Sequence, residues 1–479
     1  MQPTSGARWR VGGARRRRAA ALRLALLLAA GGAATAAFAA PPPSTAAAPP
    51  GRGSLADDPF AGQPRLEREA LLRAVVERNP GLEALRQAWR AAAAHRLEQG
   101  GLPDPTVALE VTPFAGGGAA PFAEIIDLRL PLPLPARRRL RVGAAEAAAA
   151  AALAGYRAAQ VELVAAASLL YDDYYMAYRS LAISDEHLRL AEELRRAAMG
   201  RYAAGLAPQQ DPLQAEVEAA RLLHRRGELE LERDLIAIRI QGLVHTAASG
   251  PLPPPPEQLP LPPPAAGATL AGAPLAGEEE AVAAHPEVAA RRAAADAWRA
   301  DYELARLARR PDLEVMGSYD SRWGPSGQRF IAGVAIGLPV RGERLAAERA
   351  VAEARVAQAE SERAAAEDRI RAAAREAALR LVFGGHVREI YEERLKPASR
   401  DQLRAARASF EVGQGTLQAV LEAERNLREA ELGSEQALVD LYRRQTELDR
   451  ALGRLPAGLD LGPALSVPGA STGRVPGAP

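Results

Sequence analysis

Six histidines, no cysteine and a single lysine (Lys396) bound the chemistry open to this chain of 479 residues. His95, His187, His224, His245, His285 and His386 stand apart, none with a second His or a Cys at ligand spacing, so no metal site is expected. Without cysteine there is no disulfide, no thiolate nucleophile and no lipidated N-terminal Cys. HExxH, GxSxG and a P-loop lysine are all missing, so the sequence gives no reason to expect catalysis or a bound cofactor. What stands out instead is an acid following each of two glycine turns. Asp211 comes after Gly205-Leu206-Ala207-Pro208, and Glu422 after Gly413-Gln414-Gly415-Thr416. Glycine is what a helix C-terminus asks for, and an acid near the start of the next helix suits the helix dipole. Both features therefore have a purely conformational reading.

Charge excludes further classes. There are 61 Lys+Arg against 59 Asp+Glu, which argues against a broad nucleic-acid face. Aromatics are only 4% of residues, and alanine fills much of the 48% hydrophobic fraction. Alanine favours helix but buries little surface, so long helices in few layers fit better than a thick core. At the N-terminus, Arg15 to Arg18 precede an apolar run and then Ala37-Phe38-Ala39-Ala40. That order reads as a secretory signal over 1–40. No later stretch is apolar and long enough for a transmembrane helix, so only a β-barrel could cross a membrane.

The remainder divides as a linker (41–64), a first repeat (65–248), a proline-rich linker (249–280), a second repeat (281–455) and a Gly/Pro-rich tail (456–479). The repeats keep register. Asn79-Pro80 answers to His285-Pro286, and Pro131 to Pro339, 208 residues on. Tyr202 with Gly205 answers to Phe410 with Gly413, again 208 apart. Leu213-Gln214-Ala215 with Glu218 and Arg221 answers to Leu417-Gln418-Ala419 with Glu422 and Arg425. Order kept over such a length indicates duplication.

Four segments alternate with period two: Val107/Leu109/Val111, Ile126/Leu128/Leu130, Leu313/Val315/Tyr319 and Phe330/Val334/Ile336/Leu338. Each is near the length of about 9–11 residues that crosses a bilayer at a tilt, although a half-buried strand of a soluble domain alternates too. Phe114, Phe122, Tyr319, Trp323 and Phe330 fall at the strand ends, where an interfacial girdle would place them; loop packing is the other reading. Tyr171, Tyr174, Tyr175 and Tyr178 cluster on one helix and read as packing residues.

Proline-free helical stretches run from near Arg138 to Met199 and from Arg341 to Lys396. About 60 residues of helix span roughly 90 Å, which demands lateral partners. In the last helix an apolar stripe (Leu417, Val420, Leu427, Leu438, Leu441, Leu448, Leu452) is interrupted by Glu424, Glu431 and Gln445, as expected of a wall with one wet face. Four strands cannot close a barrel, so several chains would share one; three chains give about twelve strands, which leaves a lumen.

The duplicated helix–strand–strand–helix–helix order, the Asn-Pro and Pro-Asp-Pro junctions around the first helix, and the repeated motif Tyr202-x-x-Gly205…Leu213-x-Ala215 and Phe410-x-x-Gly413…Leu417-x-Ala419 together resemble the TolC-type outer-membrane efflux family from Leu66 to Leu455. The resemblance implies a mostly α fold. It implies a homotrimer with a 12-strand outer-membrane β-barrel set in lipid and a long periplasmic α-barrel, in a Gram-negative bacterium. It implies a passive exit duct, not an enzyme, working with a periplasmic adaptor and an inner-membrane pump of the resistance–nodulation–division type. It places the turns Gly205–Pro208 and Gly413–Thr416 against the adaptor, and Asp211 and Glu422 at the entrance. Ala419 stands where relatives can carry another acid, so the entrance match is partial. The outer channel of a type I protein secretion system and a periplasmic coiled-coil scaffold stay open as alternatives, and the exported substrate is unspecified.

Overall fold

The computed structural model describes residues 59–113, 122–246, 250–262, 277–320, 330–456 and 459, all within the unit Ala56–Pro479. The elements run α1 (Arg68–Arg78), α2 (Pro80–Gly100), β1 (Thr106–Pro113), β2 (Phe122–Leu132), α3 (Pro135–Ala203), α4 (Gln210–Val244), α5 (Glu278–Ala284), α6 (Pro286–Leu307), β3 (Asp312–Asp320), β4 (Phe330–Gly337), α7 (Gly342–Ile390), a π turn (Tyr391–Leu395), α8 (Lys396–Glu411) and α9 (Leu417–Ala451).

Prolines start the repeats. Pro80 and Pro286 occupy the first helical turn, where a missing N–H costs nothing. The residue before each supplies the cap. Asn79 Oδ1 accepts from the Leu82 amide at 3.1 Å, and His285 Nδ1 accepts from the Glu287 amide at 3.2 Å.

The four strands form one antiparallel sheet in the order β1-β2-β3-β4, which leaves β1 and β4 as edges. Its register sorts the side chains. Val107, Leu109 and Val111 lie opposite Leu128, Ile126 and Glu124. Leu128, Leu130 and Leu132 lie opposite Gly317, Val315 and Leu313, and Val315 and Leu313 opposite Val334 and Ile336. Directly opposed residues share a face, so one face is apolar throughout except for Glu124. The other carries Thr106, Glu110, Asp127, Arg129, Glu314, Ser318 and Asp320. The apolar face is uncovered: Leu109 is 65% exposed and Val334 63%.

Helices leave the sheet in the same sequence as the strands. Contacts run α2 with α3, α3 with α6 and α6 with α7, and α3 also meets α4 and α9. The 69 residues of α3 span about 100 Å. Alanines Ala352, Ala359 and Ala366, seven apart, mark the buried side of α7, where small residues let helices approach closely. Along α3, Tyr171, Tyr174 and Tyr175 are buried as expected, and their hydroxyls bind neighbouring chain. Tyr171 donates to the Leu66 carbonyl at 3.0 Å and Tyr174 to the Leu252 carbonyl at 3.3 Å. The described part of the proline-rich stretch is thus packed against the helices: Leu66 N bonds Pro254 O at 2.9 Å, and Tyr442 donates to the Pro260 carbonyl. Phe60, in the stretch expected as a linker, is likewise buried in this core.

The second long helix does not stop at Pro397. A proline inside a helix lacks the N–H that would reach residue 393 and crowds that carbonyl. Here the π turn Tyr391–Leu395 lies immediately ahead and absorbs the mismatch, so helix continues to Glu411. The turn needs room beside α9. Gly433 provides it, because a Cβ there would collide with the Tyr391 ring.

Candidate functional site

The two glycine turns close their helices in the same way. Gly205 (φ +69°) and Gly413 (φ +79°) are left-handed, the conformation in which L-residues are strained. Gly205 N bonds Tyr202 O at 2.9 Å and Leu206 N bonds Arg201 O at 2.8 Å. Gly413 N bonds Phe410 O at 3.1 Å and Gln414 N bonds Ser409 O at 3.0 Å. Both are Schellman closures that satisfy the last carbonyls of a helix. Thr416 then caps α9, its Oγ1 accepting from the Ala419 amide at 3.2 Å.

The structure brings the turns side by side. Arg201, ahead of the first, donates to the carbonyl of Phe410, ahead of the second, and lies 4.4 Å from that ring's centre. Leu194, Ala198, Ala215, Leu403, Phe410 and Leu417 pack beneath them. Both turns end helices that began at the sheet about 70 residues earlier, 69 in α3, so they sit roughly 100 Å from it. Gly205, Leu206 and Pro208 are exposed on one rim and Gly413, Gln414 and Thr416 on the other, with Leu206 71% exposed, while Ala207 and Gly415 are half-buried. Asp211 is half-buried in the first turn of α4, and Glu422 is exposed on α9.

At the opposite end Tyr319 pairs with Phe330 across β3–β4, ring centres 5.2 Å apart. Phe330 is 80% exposed. Phe122 begins β2 opposite Pro113. Phe114 and Trp323 lie outside the described residues.

A polar cluster behind the turns was not legible in the sequence. His187 of α3, 1% exposed, sits between two acids of α9: Nδ1 is 2.6 Å from Glu424 Oε1 and Nε2 is 3.2 Å from Glu431 Oε2. Arg400 holds the other oxygen of Glu431 at 2.9 Å, and Arg428 lies 3.6 Å from Glu424. Burial alone would lower the His187 pKa, but the hydrogen bonds its ring donates to the two carboxylates outweigh that and raise it above the ordinary value. The acids that interrupt the α9 stripe are therefore not on a wet face; they are the partners of this histidine. The available signal was their spacing of seven on the apolar seam, together with a histidine in phase with Ile183, Ala191 and Leu194.

Next to it, Glu218 of α4 is buried beneath Arg425 (2.5 Å), Arg428 (3.6 Å) and Arg221 (3.7 Å). Burial would raise its pKa, but the arginines hold the carboxyl below the usual range.

No helix among the described residues is long and apolar enough to cross a membrane. Residues 279–454 match the family model for outer membrane efflux proteins. No curated protein matches the sequence significantly. Solved structures are similar across most of their length. A membrane protein from Pseudomonas aeruginosa has a TM-score of 0.70 at 21% identity, covering 81% of this chain and 91% of that one. The Neisseria gonorrhoeae MtrE outer membrane channel, in its open state, scores 0.65 at 20% identity, covering 82% and 89%. The Campylobacter jejuni CmeC outer membrane channel scores 0.66 at 14% identity, covering 81% and 85%.

Proposed function

From a chain whose residues 279–454 match the outer membrane efflux protein family, and whose fold is similar to that of outer-membrane channels, we propose a passive exit duct that spans the outer membrane and reaches through the periplasm. Export of the chain would remove the segment 1–40. The observation that carries the reading is the sheet: one face apolar and uncovered, the other polar, with two unpaired edges. An open sheet in lipid leaves backbone groups unsatisfied. Three copies joined β4 to β1 close it into a barrel of about twelve strands, wide enough for a solute.

Below the barrel, the helices of three copies continue the wall, and the paired turns form a ring at its end. That ring suits a periplasmic adaptor of matching symmetry, which would connect the duct to an inner-membrane pump. Asp211 and Glu422 would line the entrance. The cargo is a small molecule or metal ion driven by that pump.

Because the native chain has no cysteine, the closure is directly testable. Single cysteines on β1 and β4, paired in a panel across the two edges, should give trimers on non-reducing gels of outer-membrane fractions. A chain that stays monomeric, or fractionates with soluble periplasmic protein, sinks the reading.

A further inference from the structure

We propose that the junction between strands and helices binds an anionic glycerophospholipid, with its phosphate on Arg141 and Arg341 and its acyl region against Leu338 and Val340. The proposal rests on the reading that β1–β4 cross a bilayer. Where the sheet ends, arginine is concentrated: Arg137, Arg138, Arg139 and Arg141 open α3, Arg309 and Arg310 follow α6, and Arg341 and Arg344 open α7. Between these three helices lies a cleft of about 490 Å³, lined by Arg137, Arg141, Arg341, Arg344, Leu338 and Val340 among others.

The charges in the cleft do not balance. Its two acids are already engaged. Asp312 is paired with Arg137, which also donates to the carbonyls of Leu307 and Arg310 at 2.9 Å each and so staples the corner between α6 and β3. Glu348 holds Arg344 at 2.8 Å. Among the described residues, no carboxylate lies within ion-pair distance of Arg141 or Arg341. Further down the same helices exposed arginines are paired across the seam, as Arg291 is with Glu362 and Arg299 with Glu360. Two guanidinium groups are thus left facing solvent in a concave site, and their planar forks match phosphate oxygens.

The rim above them is apolar. Leu338 continues the outward alternation of β4 and is 70% exposed; Val340 is 83% exposed. Bare aliphatic side chains directly over unpaired arginines form the boundary that a lipid offers in reverse, acyl chain above and phosphate below. Free phosphate shares the lower half of that chemistry but has nothing to place against Leu338 and Val340.

The test uses the full-length protein purified in neutral detergent. It is incubated with dioleoylphosphatidylglycerol, dioleoylphosphatidylcholine or inorganic phosphate, and read by native mass spectrometry and thermal melting. Phosphatidylglycerol should be retained and should raise the melting temperature; phosphatidylcholine should do neither. Arg141→Gln/Arg341→Gln should lose most of the retained phosphatidylglycerol. Arg141→Lys/Arg341→Lys should keep part of it, and the shaft control Arg195→Gln/Arg239→Gln should keep all. Equal retention of both lipids, or unchanged retention in the double glutamine variant, overturns the site. Equal protection by inorganic phosphate alone overturns its lipid half. A wild-type chain that never enters the membrane fraction fails the duct reading, whereas one that inserts and ignores headgroup charge fails only this inference.

Discussion

Arg425 in α9 is ion-paired at 2.5 Å with Glu218 in α4, which closes the second hairpin on the first. Glu218 and Glu422 hold equivalent places in the two repeats, as do Arg221 and Arg425. Yet Glu218 is 3% exposed and Glu422 faces solvent. The duplicated sequence has been put to two uses, one copy of the acid as an internal tie and the other left outward.

Replacing Glu218 by glutamine should loosen that tie. Three guanidinium groups would then surround a neutral amide, a loss of about 1–3 kcal/mol for charged hydrogen bonds of this kind. The expected outcome is a lower melting temperature and a larger single-channel conductance in planar bilayers. Because the Glu218 carboxyl is held below its ordinary value, its contribution is present above about pH 4.3 and is lost as pH falls through the depressed value. Unchanged conductance and melting would show that the pair does not hold the hairpins.

His187 should make stability pH-dependent in the opposite sense. Its pKa is raised in the folded protein. The stabilisation is therefore complete below the unfolded imidazole value of about 6.5 and is lost as pH rises through the raised one. Melting temperature should fall as pH rises above about 6.5, and His187→Gln should flatten the decline. An equal slope in the variant would falsify the assignment.

At the turns, Gly413→Val or Gly205→Val places a β-branched residue at positive φ, a strain of about 1–2 kcal/mol. Export, measured as drug tolerance with a cognate pump and adaptor, should be lost while the protein remains in the outer membrane. Absence from the membrane would locate the defect in folding instead.

Glu422→Gln should weaken cation selectivity in bilayer recordings without disturbing assembly. Its side chain is exposed in the single chain, and three copies converging at an entrance would attract cations. Reversal potentials that match the unmodified channel would leave Glu422 a helix-start acid only.

On the sheet, Leu128→Arg should prevent insertion, at a cost of about 2–4 kcal/mol near the bilayer midplane. Ser318→Arg, on the opposite face, should insert normally and change conductance. Equal effects from both would contradict the assigned faces.

The sheet faces were legible because an alternating strand has only two phases, and the apolar phase of each segment is the one the register aligns. The turns were legible because glycine at a helix end has few explanations. The His187 cluster was not. Whether Glu424 and Glu431 meet water or a histidine depends on the register of α9 against α3, which no single segment encodes. The proline-rich stretch hid its docking for the same reason: the Tyr174 and Tyr442 hydroxyls that hold it belong to distant helices. Pro397 marked the limit of a proline-free run, and the π turn by which the helix passes through it left no mark in the sequence.

The π turn has a consequence for symmetry. From Pro131 to Gly205 and from Pro339 to Gly413 the chain counts the same number of residues, but the second path spends one of them on a wider coil. That residue adds little rise, so the second hairpin is shorter by about 1.5 Å and its face is rotated by about 100° beyond the π turn. In a trimer, six turns, each opened by a left-handed glycine, would therefore stand at two heights and two headings. Such a ring would be a crown with three long and three short points, and anything docking on it six times would do so in two ways.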